Sequence, residues 1–282
     1  EGRTPFAPPA EYQFQFDDAA EVAQAETWLR QTFGIEQEGT LWQLAPTLQA
    51  DTRLIRGTEL WSVAAYDEAR AEFDDLLNTT ETDALASYQL AIYWRQIGAY
   101  QASIQAAANI IDAAKISTLE APRYIARMRY PVYYLDVVQA EAAKYGLDPL
   151  LLFSLIRQES LFDANATAAA GEKGLTQVIP STGEYIAQQL NWPDYEHSVL
   201  FRPYASIAFG AYYLHEQLSR FDNNVPAAVS AYNAGPGRAA QWVALSGGNP
   251  DLFISTIAID STRIYVTRIY GYHAIYRALY GL

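Results

Sequence analysis

Glu159 is the residue of this chain whose placement most invites acid–base chemistry. It falls in the last turn of Pro149 to Ser160, a segment apolar nearly all round (Leu150, Leu151, Leu152, Phe153, Leu155, Ile156), which predicts a buried helix. Two effects there disfavour a carboxylate: the negative end of the helix dipole and removal from water. Both raise the pKa, as a general acid working near neutral pH requires. In isolation, however, a glutamate at a helix end is usually just solvated.

Other chemistries are excluded or disfavoured by composition. The chain has no cysteine, so disulfides, thiolate nucleophiles and cysteine-based zinc sites are absent. His197, His215 and His273 lack i, i+3 or i, i+4 partners, so no metal site is expected and the histidines read as surface or packing residues. A net charge of −13 argues against nucleic acid, whose binding depends on neutralising phosphates. The charge is uneven: residues 1–125 hold 19 acidic and 8 basic side chains, which marks them as a solvated, acidic scaffold. No run approaches the ~18 apolar residues of a membrane span, so a soluble chain is expected. It begins at Glu1 with neither an initiator Met nor a leader, which reads as a mature or trimmed form.

The elements that must carry Glu159 are helical throughout. Residues 1–16, with Pro5, Pro8 and Pro9, read as an extended arm. An amphipathic helix follows from Asp18 and stops at Gly34. Tyr66 then matches Tyr100 at an offset of 34 residues, as Leu60 matches Trp94, Ala69 matches Ser103 and Leu76 matches Ile110. Such a period in helical hairpins resembles a tetratricopeptide-type array, although a plain stack of α-hairpins gives the same pattern. Pro122 and Pro131 bracket RYIARMRY, which reads as a short basic and aromatic connector, and the domain division is placed at 125/126. Beyond it, Val132–Tyr145 reads as a helix closed by Gly146, and Asp148-Pro149 as an N-cap with proline at the first helical position. The fold class is all-α: a scaffold of helical hairpins over 1–125 and a second domain over 126–282.

Four motifs sharpen the functional reading. They are Glu159-Ser160, then Gly174-Leu175-Thr176-Gln177, then Ala231-Tyr232-Asn233-Ala234-Gly235-Pro236, and Thr262-Arg263-Ile264-Tyr265-Val266. In this order and spacing, residues 130–280 resemble the catalytic domain of the soluble lytic transglycosylases, relatives of goose-type lysozyme, and the resemblance implies a lysozyme-like fold. It also implies that Glu159 protonates the glycosidic oxygen between N-acetylmuramic acid and N-acetylglucosamine, then acts as a base. Gln177, Tyr213, Tyr232, Asn233 and Tyr265 would contact the sugar or the acid. Each also has a structural reading: most of 21 tyrosines must be packing residues, and Asn233 could be a helix cap.

The chain departs from the family's pattern at Ala168, at Thr176, where a methionine is common and the cleft wall would become smaller and more polar, and at Ser261. The resemblance further implies peptidoglycan strands as the partner, no cofactor, and an exported, extracytoplasmic protein. A protein partner for the helical repeats is a further expectation. Two alternatives stay open: a lysozyme-like hydrolase using Glu159 with a second carboxylate, Asp163 or Glu172, and a non-catalytic peptidoglycan-binding scaffold.

Overall fold

In the computed structural model, residues 12–281 are described, with residues 250 and 251 described by backbone alone. The expected arm with Pro5, Pro8 and Pro9 lies mostly outside the described residues. Among the described residues the protein is all-α, without a sheet, and Thr167–Lys173 and Lys173–Val178 pair as isolated bridges. The chain forms two compact units. One holds residues 12–132 with 278–280, the other residues 133–277 with 281.

The first unit comprises α1 (Asp18–Phe33), α2 (Pro46–Gln49), α3 (Thr52–Ser62), α4 (Tyr66–Thr80), α5 (Ala84–Gln96), α6 (Tyr100–Ala113) and α7 (Arg123–Arg129). Asp17 caps α1 by accepting from the Ala20 N–H, and Gly34 ends it in the left-handed conformation, φ 65°. The 34-residue offset is a structural repeat. α3 and α4 form one hairpin and α5 and α6 the next, with Tyr66 and Tyr100 each opening the second helix. The turns match atom for atom: the Ala65 N–H donates to the Leu60 carbonyl (2.9 Å) and the Ala99 N–H to the Trp94 carbonyl (2.8 Å). Ala64 and Gly98 take the required positive φ, 63° and 80°. A shared core of Phe73, Leu76, Tyr88, Trp94, Ile110 and Ile125 fills the unit.

The segment read as a connector is instead the helix α7. Pro122 stands at its N-cap, and Tyr124, Ile125, Ala126 and Met128 bury themselves against α1 and α6. Apolar residues at helical spacing outweigh the basic ones, and the chain leaves this unit only after Val132.

The second unit comprises α8 (Leu135–Tyr145), α9 (Pro149–Ser160), α10 (Pro180–Gln189), α11 (Pro203–Arg220), α12 (Val225–Ala234), α13 (Pro236–Leu245), α14 (Pro250–Thr256) and α15 (Asp260–Tyr280) up to Arg277. α8 starts three residues later than its periodicity predicts, because Tyr134 takes a left-handed conformation (φ 58°) and acts as the N-cap. α9 opens as expected: the Asp148 carboxylate accepts from the Leu150 N–H at 2.9 Å, with Pro149 at the first position. It is buried along nearly its whole length.

Candidate active site

Glu159 stands at the C-terminal end of α9, where the chain must turn sharply. Leu161 and Phe162 both take left-handed φ values, 49° and 64°, without being glycine. Strained backbone of this kind persists only where packing enforces it, and it clusters at functional sites. Ser160 supplies part of that enforcement. Its hydroxyl donates to the Leu175 carbonyl at 2.9 Å and so fastens the Glu-Ser motif to the Gly-Leu-Thr-Gln turn.

α15 faces the acid from a second direction. The Tyr265 hydroxyl donates a short hydrogen bond to Glu159 Oε1. Further along the same two helices, His273 Nε2 and Asp148 Oδ2 lie 2.7 Å apart, both buried, and Phe153 stacks on Tyr276. Glu159 and its hydroxyl donor therefore sit on helices pinned to each other at three points.

The carboxyl of Glu159 is pushed up to about 8. Burial is the main cause, since removing the charged form from water disfavours it. The Tyr265 hydrogen bond works against the rise, and the negative charge of Glu172 adds to it. A carboxylic acid that holds its proton near neutrality and can later accept one back is suited to both halves of acid–base chemistry. Glu159 itself is half-buried at the end of an otherwise buried helix, and the protein packed around its carboxyl raises its pKa in the direction read from the sequence.

Tyr232, on α12, has its hydroxyl donating to the Thr176 carbonyl at 2.9 Å. Burial and the Glu159 charge hold its phenol well above the ordinary range. Tyr213, on α11, packs edge-on against Tyr232 with ring centroids 5.2 Å apart, and burial raises its phenol too. Gln177 occupies a left-handed conformation (φ 46°), and its side-chain amide donates to the carbonyls of Gly174 (2.7 Å) and Ala166 (3.1 Å). Asn233 is exposed near the end of α12, with its Oδ1 accepting from the Thr262 hydroxyl at 2.8 Å. The helix cap there is Gly235, so Asn233 does not serve as one.

The sequence reading missed three participants. Ser206 accepts and donates hydrogen bonds with Thr176 (Oγ1 to the Ser206 carbonyl, 2.8 Å), and no local signal on α11 marks it. Thr262 and Ser160 belong to motifs already noticed, yet their positioning parts required the fold. Thr176 itself needs a correction. Its side chain is fully buried against Gly210 and paired with Ser206, so it does not form a smaller or more polar cleft wall. Ala168 and Ser261 are exposed. Asp163 is buried and takes the Asn165 N–H, whereas Glu172 is half-buried and takes the Ala170 N–H.

Removing the Tyr265 hydroxyl has a predictable electrostatic result. Tyr265→Phe takes away a donor that favours the ionised form of Glu159, so the pKa rises further. The alkaline limb of the pH–rate profile is expected to move up by about one unit, with turnover down about tenfold. An unmoved limb would show that the hydroxyl does not act on the acid.

Residues 136–252, which hold Glu159, Gln177, Tyr213, Tyr232 and Asn233, match the family described as "Transglycosylase SLT domain". Those residues are similar to a transglycosylase SLT domain. Thr262 and Tyr265 lie beyond the matched residues. Relatives of the chain include the soluble lytic murein transglycosylase of Salmonella typhimurium, 32% identical over 54% of this chain and 24% of that protein. That of Escherichia coli K12 is 29% identical over 82% of this chain and 35% of its own length. The chain therefore spans roughly a quarter to a third of these relatives. Among solved structures, the 70 kDa soluble lytic transglycosylase of Escherichia coli superposes with a TM-score of 0.70 at 25% identity, covering 92% of this chain and 44% of that one. An inactive mutant of the lytic transglycosylase Slt from Pseudomonas aeruginosa gives 0.69 at 24% identity, over 92% and 42%.

Proposed function

We propose that this chain cleaves peptidoglycan as a lytic transglycosylase, with Glu159 as its acid and then its base. The observation that carries the reading is the Glu159 carboxyl, held protonated to about 8 and hydrogen-bonded by Tyr265 within an SLT-type unit. In the first step Glu159 gives its proton to the glycosidic oxygen between N-acetylmuramic acid and N-acetylglucosamine. The C1–O bond breaks as the substrate's own N-acetyl oxygen bonds to C1. In the second, the Glu159 carboxylate takes the proton of the muramic acid 6-hydroxyl. That oxygen attacks C1, the bond to the N-acetyl oxygen opens, and a 1,6-anhydro ring closes without water. The acid is thereby restored.

Gln177, Tyr213, Tyr232 and Asn233 are proposed to contact the sugar, and Tyr265 to hold the acid. Among the described residues the Gln177 carbonyl oxygen has no protein partner, because its amide nitrogen takes both hydrogen bonds. That leaves an acceptor for a sugar hydroxyl. The substrate places the protein outside the cytoplasmic membrane, and the paired hairpins α3–α4 and α5–α6 read as a tetratricopeptide-like scaffold. No helix among the described residues is long and apolar enough to cross a membrane.

One observation favours a second reading. The charge of Glu172 bears on Glu159, so a second carboxylate is available to activate water as in ordinary glycosidases. Mass spectrometry of a sacculus digest separates the two. Products ending in 1,6-anhydromuramic acid are expected, and reducing ends alone would establish hydrolysis instead.

A further inference from the structure

The first unit carries a groove of about 300 Å³ lined by Trp42, Gln43, Leu44, Gln49, Tyr93 and Gln96. Its chemistry is consistent: two aromatic side chains, three primary amides, one aliphatic chain and no charge. Trp42 is 40% exposed, and an indole face left in water gains free energy when a ligand covers it.

The segment that bears Trp42 is fixed by buried polar groups. The Leu41 N–H donates to Glu26 Oε1 (2.9 Å), and Gln89 Nε2 donates to the Leu41 carbonyl (3.1 Å). At the other end, the Ala45 N–H donates to Gln89 Oε1 (2.9 Å). Glu26 and Gln89 are only 6% and 1% exposed. Trp42 and Gln43 are therefore held between two anchored residues. Tyr93 is tied to Thr58 (3.0 Å), and Gln49 donates to the Leu44 carbonyl (2.7 Å). A ligand meeting this groove finds it already ordered, which lowers the entropic cost of binding.

We propose that the groove is a second glycan site, taking an uncharged N-acetylhexosamine residue. Aromatic side chains combine a large apolar face with low conformational freedom, which suits the C–H face of a pyranose. Primary amides offer donor and acceptor together, matching hydroxyl and N-acetyl groups. A phosphate or a peptide terminus would find no opposite charge here. The volume lies at the lower end of small-molecule pockets, roughly 300–1,000 Å³, which limits the contact to about one sugar ring. That this sugar belongs to the polymer cleaved at Glu159 rests on the proposed function; the preference for a neutral sugar does not.

The test uses the indole N–H signals of the six tryptophans in the 282-residue Glu159→Gln protein, titrated with the N-acetylglucosamine trimer. The Trp42 signal, identified by its loss in Trp42→Phe, is expected to shift saturably. Tyr93→Ala and Gln96→Ala should each weaken that binding by about five- to tenfold, with circular dichroism unchanged. A fixed Trp42 signal overturns the proposal, as does a shift produced equally by an uncharged peptide. The two readings fail separately. Trimer-induced shifts confined to Trp192 or Trp242 of the second unit remove the groove and leave the cleavage reading. A Trp42 response in a protein whose wild type releases no anhydro-sugar product does the reverse.

Discussion

Glu159→Gln is expected to lower turnover on sacculi by about 10²- to 10⁴-fold while raising the melting temperature at neutral pH. The loss follows from chemistry: an amide can neither protonate the departing oxygen nor take the proton of the 6-hydroxyl, and positioned acid–base groups contribute factors of about that size. The site itself should survive, because a glutamine keeps an Oε1 able to accept from the Tyr265 hydroxyl. Turnover within about tenfold of wild type would remove Glu159 from the role of acid.

The gain in stability follows from linkage. Glu159 titrates at about 8 in the folded protein against an ordinary 4.5, so between those values the folded state holds a proton that the unfolded chain releases. Wild-type stability from this group is complete below about pH 4.5, falls as pH rises, and is lost by about pH 8. At pH 7 the deficit is roughly 3 kcal/mol. Glutamine stays neutral throughout, so the variant's advantage in melting temperature should be small near pH 4.5, widen up to about 8 and then level off. An advantage independent of pH would mean that burial does not raise this carboxyl. Together the two measurements describe a residue kept at a cost in stability for what it does. The same pKa predicts that wild-type activity falls on the alkaline side above about 8.

How much of this was legible in the sequence depended on whether the cause was local. α9 could be read because its start (Asp148-Pro149) and its apolar run are both local. The hairpin repeat could be read because the same backbone turn recurs with apolar residues at Leu60 and Trp94 and tyrosines at Tyr66 and Tyr100. α7 could not, since seven residues with three arginines between prolines look like a linker until α1 and α6 supply their apolar faces. Tyr265 and Glu159 are 106 positions apart, so only a resemblance could connect them in advance. Thr176 was misread for the same reason. Whether its hydroxyl faced a cleft or a core depended on Ser206, which α11 brings to it from 30 residues away.

Gly174→Ala should be the most damaging single-methyl substitution near the site, costing about 3 kcal/mol or more and lowering the melting temperature by roughly 6–12 °C. Two independent obstacles meet at this position. Its φ of +75° disfavours any side chain, and an added Cβ would stand 1.9 Å from the Leu200 carbonyl oxygen and 2.9 Å from the Ser206 hydroxyl. Neither neighbour yields cheaply. The first is backbone, and the second holds Thr176. The turn must therefore move, and it carries the carbonyl to which the Gln177 amide donates. Catalysis should fall with stability, because Gln177 and the Thr176 carbonyl that receives Tyr232 shift together. Gly271→Ala in α15 gives the contrast: an added Cβ meets nothing within 4 Å there, so the helix should gain about 0.5–1 kcal/mol. Opposite signs for one chemical change would establish that close approach at Gly174, and no general intolerance of alanine, sets the geometry of the turn. Equal and small effects at both positions would show that the Leu200 carbonyl does not crowd it.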